Sequence, residues 1–256
     1  MRPDGLPTTP HWPEHAEIIP TEDATEVSVR RLGAGAPLVI VHGALSTADD
    51  WWETARLLAT EYQVSVINRR GRHPTGIPGQ HNIDIEVADL AALLDQLPEP
   101  AHVLGHSYGA VLALRTALTV PMKTLLLYDP PLPVGGPIHP DALDRTDRLL
   151  TGGDLDMAMR VAFGDVLELP AADVDAFVSS PLGGRQSQML RSFIQELRAV
   201  NALAPDLGVY SALPPPVLLV GEASLPAVIH RAVAELARNI PGAAHHAARA
   251  GARRSP

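Results

Sequence analysis

Gly105-His106-Ser107-Tyr108-Gly109 constrains this chain more than any other stretch of it. The pentapeptide lies between a short apolar run, His102-Val103-Leu104, and a helical pattern over 108–119. A serine with glycines two before and two after it, entered by a strand and left by a helix, belongs to a tight turn that holds the hydroxyl above a sheet. A serine hydroxyl is a poor nucleophile until it is held exposed, beside a base, with N–H donors aimed at the developing oxyanion. The Tyr108 amide opens the helix, where unpaired N–H groups and the helix dipole favour negative charge. Ser107 is therefore the candidate nucleophile. The pattern alone also describes a plain glycine-rich turn; the flanking strand and helix separate the two.

The rest of the chain supplies a matching frame. Residues 26–32 alternate as a half-exposed strand does. Pro37-Leu38-Val39-Ile40-Val41 is a continuous apolar run stopped by His42-Gly43, as in a buried parallel strand. Further strands are predicted at 62–67, 102–104, 123–128 and 217–220, with helices at 84–97, 108–119 and 227–239. Such alternation means a parallel sheet covered on both faces. It is interrupted over 131–213, which reads as helices near 141–150, 154–168, 171–179 and 185–202. Gly152-Gly153, Pro170, Pro181 and Gly183-Gly184 break them. A helical insertion between two sheet strands marks a cap over a site. The expected organisation is a loose arm at 1–23, an α/β core at 24–130 and 214–256, and the cap at 131–213. Met157, Met159, Phe163, Phe177, Met189 and Phe193 of the cap either shape a substrate pocket or pack helix on helix.

His42-Gly43, Trp51, the Arg69-Arg70-Gly71-Arg72 turn, the elbow, and Leu127-Tyr128-Asp129-Pro130-Pro131 follow one another in an order that resembles the α/β-hydrolase fold superfamily. The similarity runs over about residues 25–240. It implies an α/β fold with an eight-stranded, mostly parallel sheet, helices on both faces and a helical cap. It also implies an oxyanion hole from the amides of Ala44 and Tyr108. Asn68 stands where the superfamily's turn usually begins with aspartate. The resemblance further implies an acid and then a histidine after the serine. The usual acid position aligns with Ala223, one residue beyond Glu222. The other position at which the superfamily keeps an acid carries Asp129, at the C-terminal end of a strand. Asp129 is preferred as the acid and Glu222 is the alternative; otherwise they are a turn cap and a solvated loop charge.

The superfamily's histidine follows a last strand. Ile240-Pro241-Gly242 is present here, but residues 243–256 hold no Val, Ile, Leu or aromatic residue. No buried strand is expected from them, so the final strand and helix are expected to be missing. Two readings stay open. Either His245, or alternatively His246, reaches Ser107 by an altered path, or this segment is truncated or out of frame and the base is absent.

Composition narrows the classes that remain. A chain of 256 residues suits one sizeable α/β domain with an insertion. A net charge of −9 argues against a nucleic acid or anionic membrane as partner. Without cysteine there is no thiolate nucleophile, disulfide or Cys-ligated metal. No run approaches the ~18 apolar residues of a membrane span and none resembles a signal peptide, so a cytoplasmic location is expected. His11-Trp12-Pro13-Glu14-His15 spells H-x-x-E-H, but Pro13 disfavours the required helix. Adjacent side chains such as His245 and His246 diverge, so no metal is expected. No phosphate loop is present, and Gly33-Ala34-Gly35 lacks the third glycine of a dinucleotide fingerprint. No cofactor is expected. His42 and His106 read as supports of the elbow. Tyr108 either lines the pocket or packs beneath the cap. The expectation is a cofactor-independent serine hydrolase acting on a small or medium apolar ester, lactone or related acyl compound. The alternatives are a lyase-, cyclase- or haloperoxidase-like homologue using the same pocket, or an impaired homologue that binds a ligand.

Overall fold

The apolar runs of the sequence become strands of one sheet, and the helical spacings between them become its covering layers. The computed structural model describes residues 12, 16–21, 25–72, 75, 82–221 and 226–248. The strands are β1 (Glu17–Ile19), β2 (Val27–Leu32), β3 (Ala36–Val41), β4 (Tyr62–Asn68), β5 (His102–His106), β6 (Thr124–Tyr128), β7 (Val217–Gly221) and β8 (Ala244–Ala248). Their spatial order is β1-β2-β4-β3-β5-β6-β7-β8. β2 pairs antiparallel with both β1 and β4, and every other neighbouring pair is parallel.

β3 is apolar throughout because both of its faces are covered. Val39 and Val41 join one buried cluster, while Leu38 and Ile40 join a second on the opposite side, as successive strand side chains must. Helix α1 (Trp52–Leu58) covers the Leu38 side with Ala55 and Leu58. Helices α2 (Ile83–Asp95) and α3 (Tyr108–Thr116) cover the other. Asn82 caps α2 by accepting a hydrogen bond from the Asp84 N–H at 2.9 Å, and Leu90, Leu93 and Leu94 turn its apolar stripe to the sheet.

The cap comprises α4 (Pro140–Thr151), α5 (Leu155–Val161) with a π-helical turn (Ala162–Val166), α6 (Ala171–Val178), α7 (Pro181–Ser187) and α8 (Leu190–Asn201). It has its own apolar cluster, centred on Phe163, Leu190, Phe193, Ile194 and Leu197. Pro181 and Gly183-Gly184, read as breaks, lie within helix α7, and the helix expected over 185–202 is divided between α7 and α8. Pro181 sits at the first turn, where its missing N–H costs nothing, and the Ser180 hydroxyl caps the Gly183 N–H at 3.1 Å. The last core helix, α9 (Val228–Asn239), packs Val228, Ile229, Ala232, Val233 and Leu236 under the sheet.

Two expectations about the chain ends are corrected. Residues 17–19, assigned to a loose arm, form β1, and Trp12 is buried with its ring edge-on to Trp52 at 5.0 Å. Residues 244–248, thought unable to form a strand, pair with β7 as β8. The reason is position. β8 is an edge strand whose residues 244–247 are exposed, so main-chain hydrogen bonds build it and β-branched side chains are not required. No helix among the described residues follows it, and none anywhere among them is long and apolar enough to cross a membrane.

Candidate active site

The elbow follows from close contacts that only glycine permits. A Cβ on Gly109 would lie 2.1 Å from the Val41 carbonyl oxygen and 2.6 Å from that of His42. One on Gly43 would lie 2.9 Å from the Ser107 Cβ. α3 therefore presses against the end of β3, and the loop after β3 comes up beside Ser107. Between β5 and α3, Ser107 takes φ 52° and ψ −124°, a backbone region that costs a non-glycine residue about 1–3 kcal/mol. The surroundings hold it there: its N–H donates to the Tyr128 carbonyl at 2.8 Å, and its carbonyl accepts from the Ala110 N–H at 2.8 Å.

Asp129 sits one residue beyond β6, also at positive φ (51°). Its N–H donates to the Leu219 carbonyl at 3.0 Å, and its Oδ1 accepts from the Gly221 N–H at 3.1 Å. Both Ser107 and Asp129 border a cavity of about 350 Å³ between core and cap, with Ala44 and His106. Its walls are apolar and include Ile138, Phe163, Phe177, Phe193, Leu197 and Ile229. Gln186 is the neutral polar cap residue on its border among the described residues. Of the cap residues expected to shape a substrate, the three phenylalanines do border the cavity. Met159 is instead buried in the cap's own core, Met189 packs against that core, and Met157 is exposed.

The structure does not bring the tail histidines here. His245 and His246 occupy exposed rungs of β8, in register with Leu218 and Leu219, whereas Asp129, the residue after Tyr128, stands at the next rung, that of Val220 and Ala247, and neither histidine borders the cavity. Residues 247–256 contain no histidine. Glu222 and the residues His11, Glu14 and His15 lie outside the described residues. Among the described residues no group of three or more His, Cys, Asp or Glu could hold a metal ion.

Among the described residues, the imidazole that borders the cavity is His106. Its Nδ1 is shielded from solvent without a hydrogen-bond partner, and its ring lies 5.6 Å from Trp51 and 5.2 Å from Tyr128. Burial lowers its pKa below the ordinary 6.5, with Asp129 pulling the other way. His42 is fully buried beneath the loop. Its Nδ1 lies 2.9 Å from the Gly43 carbonyl and its Nε2 accepts from the Arg69 N–H at 3.4 Å. Nδ1 therefore carries the proton. Burial, then Arg69 and Arg72, hold the His42 pKa well below 6.5, so the ring is neutral and braces the loop.

Sequence reading missed a buried ionic cluster next to this loop. Arg69 pairs with Glu86 at 2.8 Å and with Glu196 at 3.1 Å, and Arg72 pairs with Glu196 at 2.5 Å. Burial alone would lower the Arg69 pKa, but the carboxylates of Glu196 and Glu86 outweigh it and raise it. Tyr108 is buried with its hydroxyl 3.4 Å from Glu86 and its ring under the Arg69 guanidinium at 4.7 Å. It packs beneath the cavity and does not border it. The signal available was Glu196 itself, one turn after Phe193 on the apolar face of α8. A lone charge on such a face implies a buried partner.

Comparison with known proteins agrees with this geometry. Over 99 residues the chain is 32% identical to a pimeloyl-[acyl-carrier protein] methyl ester esterase of Aeromonas hydrophila, covering 38% of each chain. Over 110 residues it is 34% identical to an N-formylmaleamate deformylase of Pseudomonas putida, covering 41% of this chain and 40% of that one. The matches thus span about two-fifths of those curated relatives' lengths. A crystal structure of an alpha/beta hydrolase from Sphaerobacter thermophilus superposes with a TM-score of 0.81 at 28% identity, covering 93% of this chain and 94% of that one. The model of the alpha/beta hydrolase family matches residues 38–252, and the protein with this elbow, capped cavity and eight-stranded sheet belongs to that family.

Proposed function

We propose that the protein is a cofactor-independent serine hydrolase cleaving a small or medium, uncharged and largely apolar ester, lactone or related acyl compound. The observation that carries this reading is the convergence of Ser107, Asp129 and the Ala44 loop on one apolar cavity. The Ser107 Oγ attacks the carbonyl carbon and a C–O bond forms. The amides of Ala44 and Tyr108 hold the oxyanion, the C–O bond to the leaving group breaks, and its oxygen receives the proton given up by Ser107, so a neutral alcohol departs. Water then cleaves the acyl-serine, releasing the acid and restoring the hydroxyl.

The proton of Ser107 needs an acceptor, and the exposed rungs of His245 and His246, which do not border the cavity, favour another group for that role. His106 is the imidazole at hand, kept neutral by burial. An elbow with oxyanion donors but without a well-placed histidine retains about 10³–10⁴-fold catalysis over water, so slow turnover is expected. A second reading, a homologue that binds its ligand without turnover, is favoured by the rungs that His245 and His246 occupy.

A fluorophosphonate probe followed by peptide mass spectrometry tests the proposal, with short p-nitrophenyl esters as substrates. Label on Ser107, lost in Ser107→Ala, supports the hydrolase. No label and no turnover by a folded protein would sink it in favour of ligand binding.

A further inference from the structure

We propose that Glu196, on cap helix α8, is a positioning residue for the loop that carries the Ala44 amide; this rests on the hydrolase reading above. One carboxylate oxygen, Glu196 Oε1, accepts from Arg69 Nη2 at 3.1 Å and from Arg72 Nη1 at 2.5 Å. The same two guanidiniums hold the loop. Arg69 Nη2 donates to the Gly43 carbonyl at 3.1 Å, and Arg72 Nε donates to the Ser46 carbonyl at 3.2 Å. Gly43 and Ser46 bracket Ala44 and Leu45, and Leu45 stands at positive φ (54°). A loop with strained backbone keeps its shape only where its surroundings over-determine it. Here two main-chain carbonyls are fixed by two arginines, and both arginines are fixed by one oxygen of the cap.

Burial gives the arrangement its leverage. The side chains of Arg69, Arg72 and Glu196 are at most 1% exposed. A charge removed from such a cluster leaves its partners desolvated and unbalanced, so they rearrange. Without Glu196, Arg69 keeps Glu86, which also meets the Tyr108 hydroxyl, while the Arg72 guanidinium loses the carboxylate it pairs with. The guanidiniums then move apart, and the Gly43 and Ser46 carbonyls move with them. Oxyanion donors act only at short range from where charge develops, and displacement of about 1 Å costs on the order of 100-fold in rate. The cap thus does more than wall the cavity. Through Glu196 it sets the geometry of the loop across the cavity floor, so an undocked cap leaves that loop unset.

The test compares the wild type with Glu196→Gln, Arg72→Lys and Arg198→Gln. Lysine keeps the charge facing Glu196 but lacks the fork that reaches Glu196 and Ser46 together. Arg198 pairs on the surface of the same helix with Asp144 and Asp147 and controls for general loosening of α8. Amide hydrogen exchange of the peptide covering 42–48 is the first readout, and it needs no activity. Exchange there is expected to quicken by about tenfold or more in the first two variants and to stay at the wild-type rate in Arg198→Gln. The second readout is ester hydrolysis, where kcat is expected to fall about 10- to 100-fold with KM within about twofold. Wild-type exchange at 42–48 in a folded Glu196→Gln, or in a folded Arg72→Lys if the former does not fold, overturns the proposal. So does a loss confined to KM. If the wild type itself neither labels nor turns over, the hydrolase reading fails, and the exchange result alone still decides whether Glu196 sets the loop.

Discussion

His245 lies in register with Leu218, two residues short of the rung where Ala247 meets Val220. Tyr128 pairs with Leu219, so Asp129, the next residue, stands at the level of that rung. At about 3.3 Å per residue, His245 is about 7 Å back along the strand and His246 about 3 Å, and both side chains are exposed and off the cavity border. His245→Ala and His246→Ala are therefore expected to leave the fluorophosphonate labelling rate of Ser107 within about twofold of wild type, the usual range for exposed substitutions. A loss of about tenfold or more in either variant would mean that this segment reaches the serine in solution.

Gly109 is the tightest point of the elbow. Gly109→Ala drives a methyl into two backbone carbonyls of the β3 end, and backbone cannot move aside as a flexible side chain can. A loss of at least about 3 kcal/mol is expected, at the upper end of overpacking effects. Thermal unfolding reads it directly. A variant that melts within a degree or two of wild type would contradict the packing described.

Stability should fall on the acid side of neutrality. The pKa values of His42 and His106 are lowered in the folded protein, so at a pH below 6.5 the unfolded chain binds protons that the folded one refuses. Their contribution is fully present above pH 6.5 and is lost as the pH falls through that value towards the folded pKa. Each such group contributes up to about 1.4 kcal/mol per pH unit in that window. Urea unfolding at pH 7.5 and 5.5 is expected to show lower stability at 5.5, with a shallower decline in His106→Asn. Equal slopes in the two proteins would remove His106 from the account.

Charge should govern substrate choice. No described residue on the cavity border is cationic, and Asp129 is already there. An acyl chain ending in carboxylate would bring a second negative charge into apolar surroundings without a partner. We expect kcat/KM for p-nitrophenyl hemisuccinate to be at least about tenfold below that for p-nitrophenyl butyrate, about 1.4 kcal/mol of discrimination. Equal values would refute the uncharged-substrate class.

The elbow, the core strands and the cap insertion were all legible in the sequence, because each rests on local rules. Glycines flank a serine at a strand–helix turn, apolar runs of strand length are bounded by turns, and helical spacing recurs between glycine and proline breaks within 131–213. Two elements escaped that reading for the same reason. β1 and β8 are edge strands of three and five residues, built by main-chain pairing with a neighbour and carrying little pattern of their own.

The site divides along the same line. Local sequence determined that Ser107 stands on a tight turn and that Asp129 ends a strand. Only the tertiary structure decided what surrounds them. Register with β7 puts His245 and His246 on exposed rungs short of the site, a matter of long-range pairing that composition does not encode. Glu196 meets Arg69 and Arg72 across more than 120 positions of chain, because burying one charge on the apolar face of α8 required partners that only the folded core could bring to it.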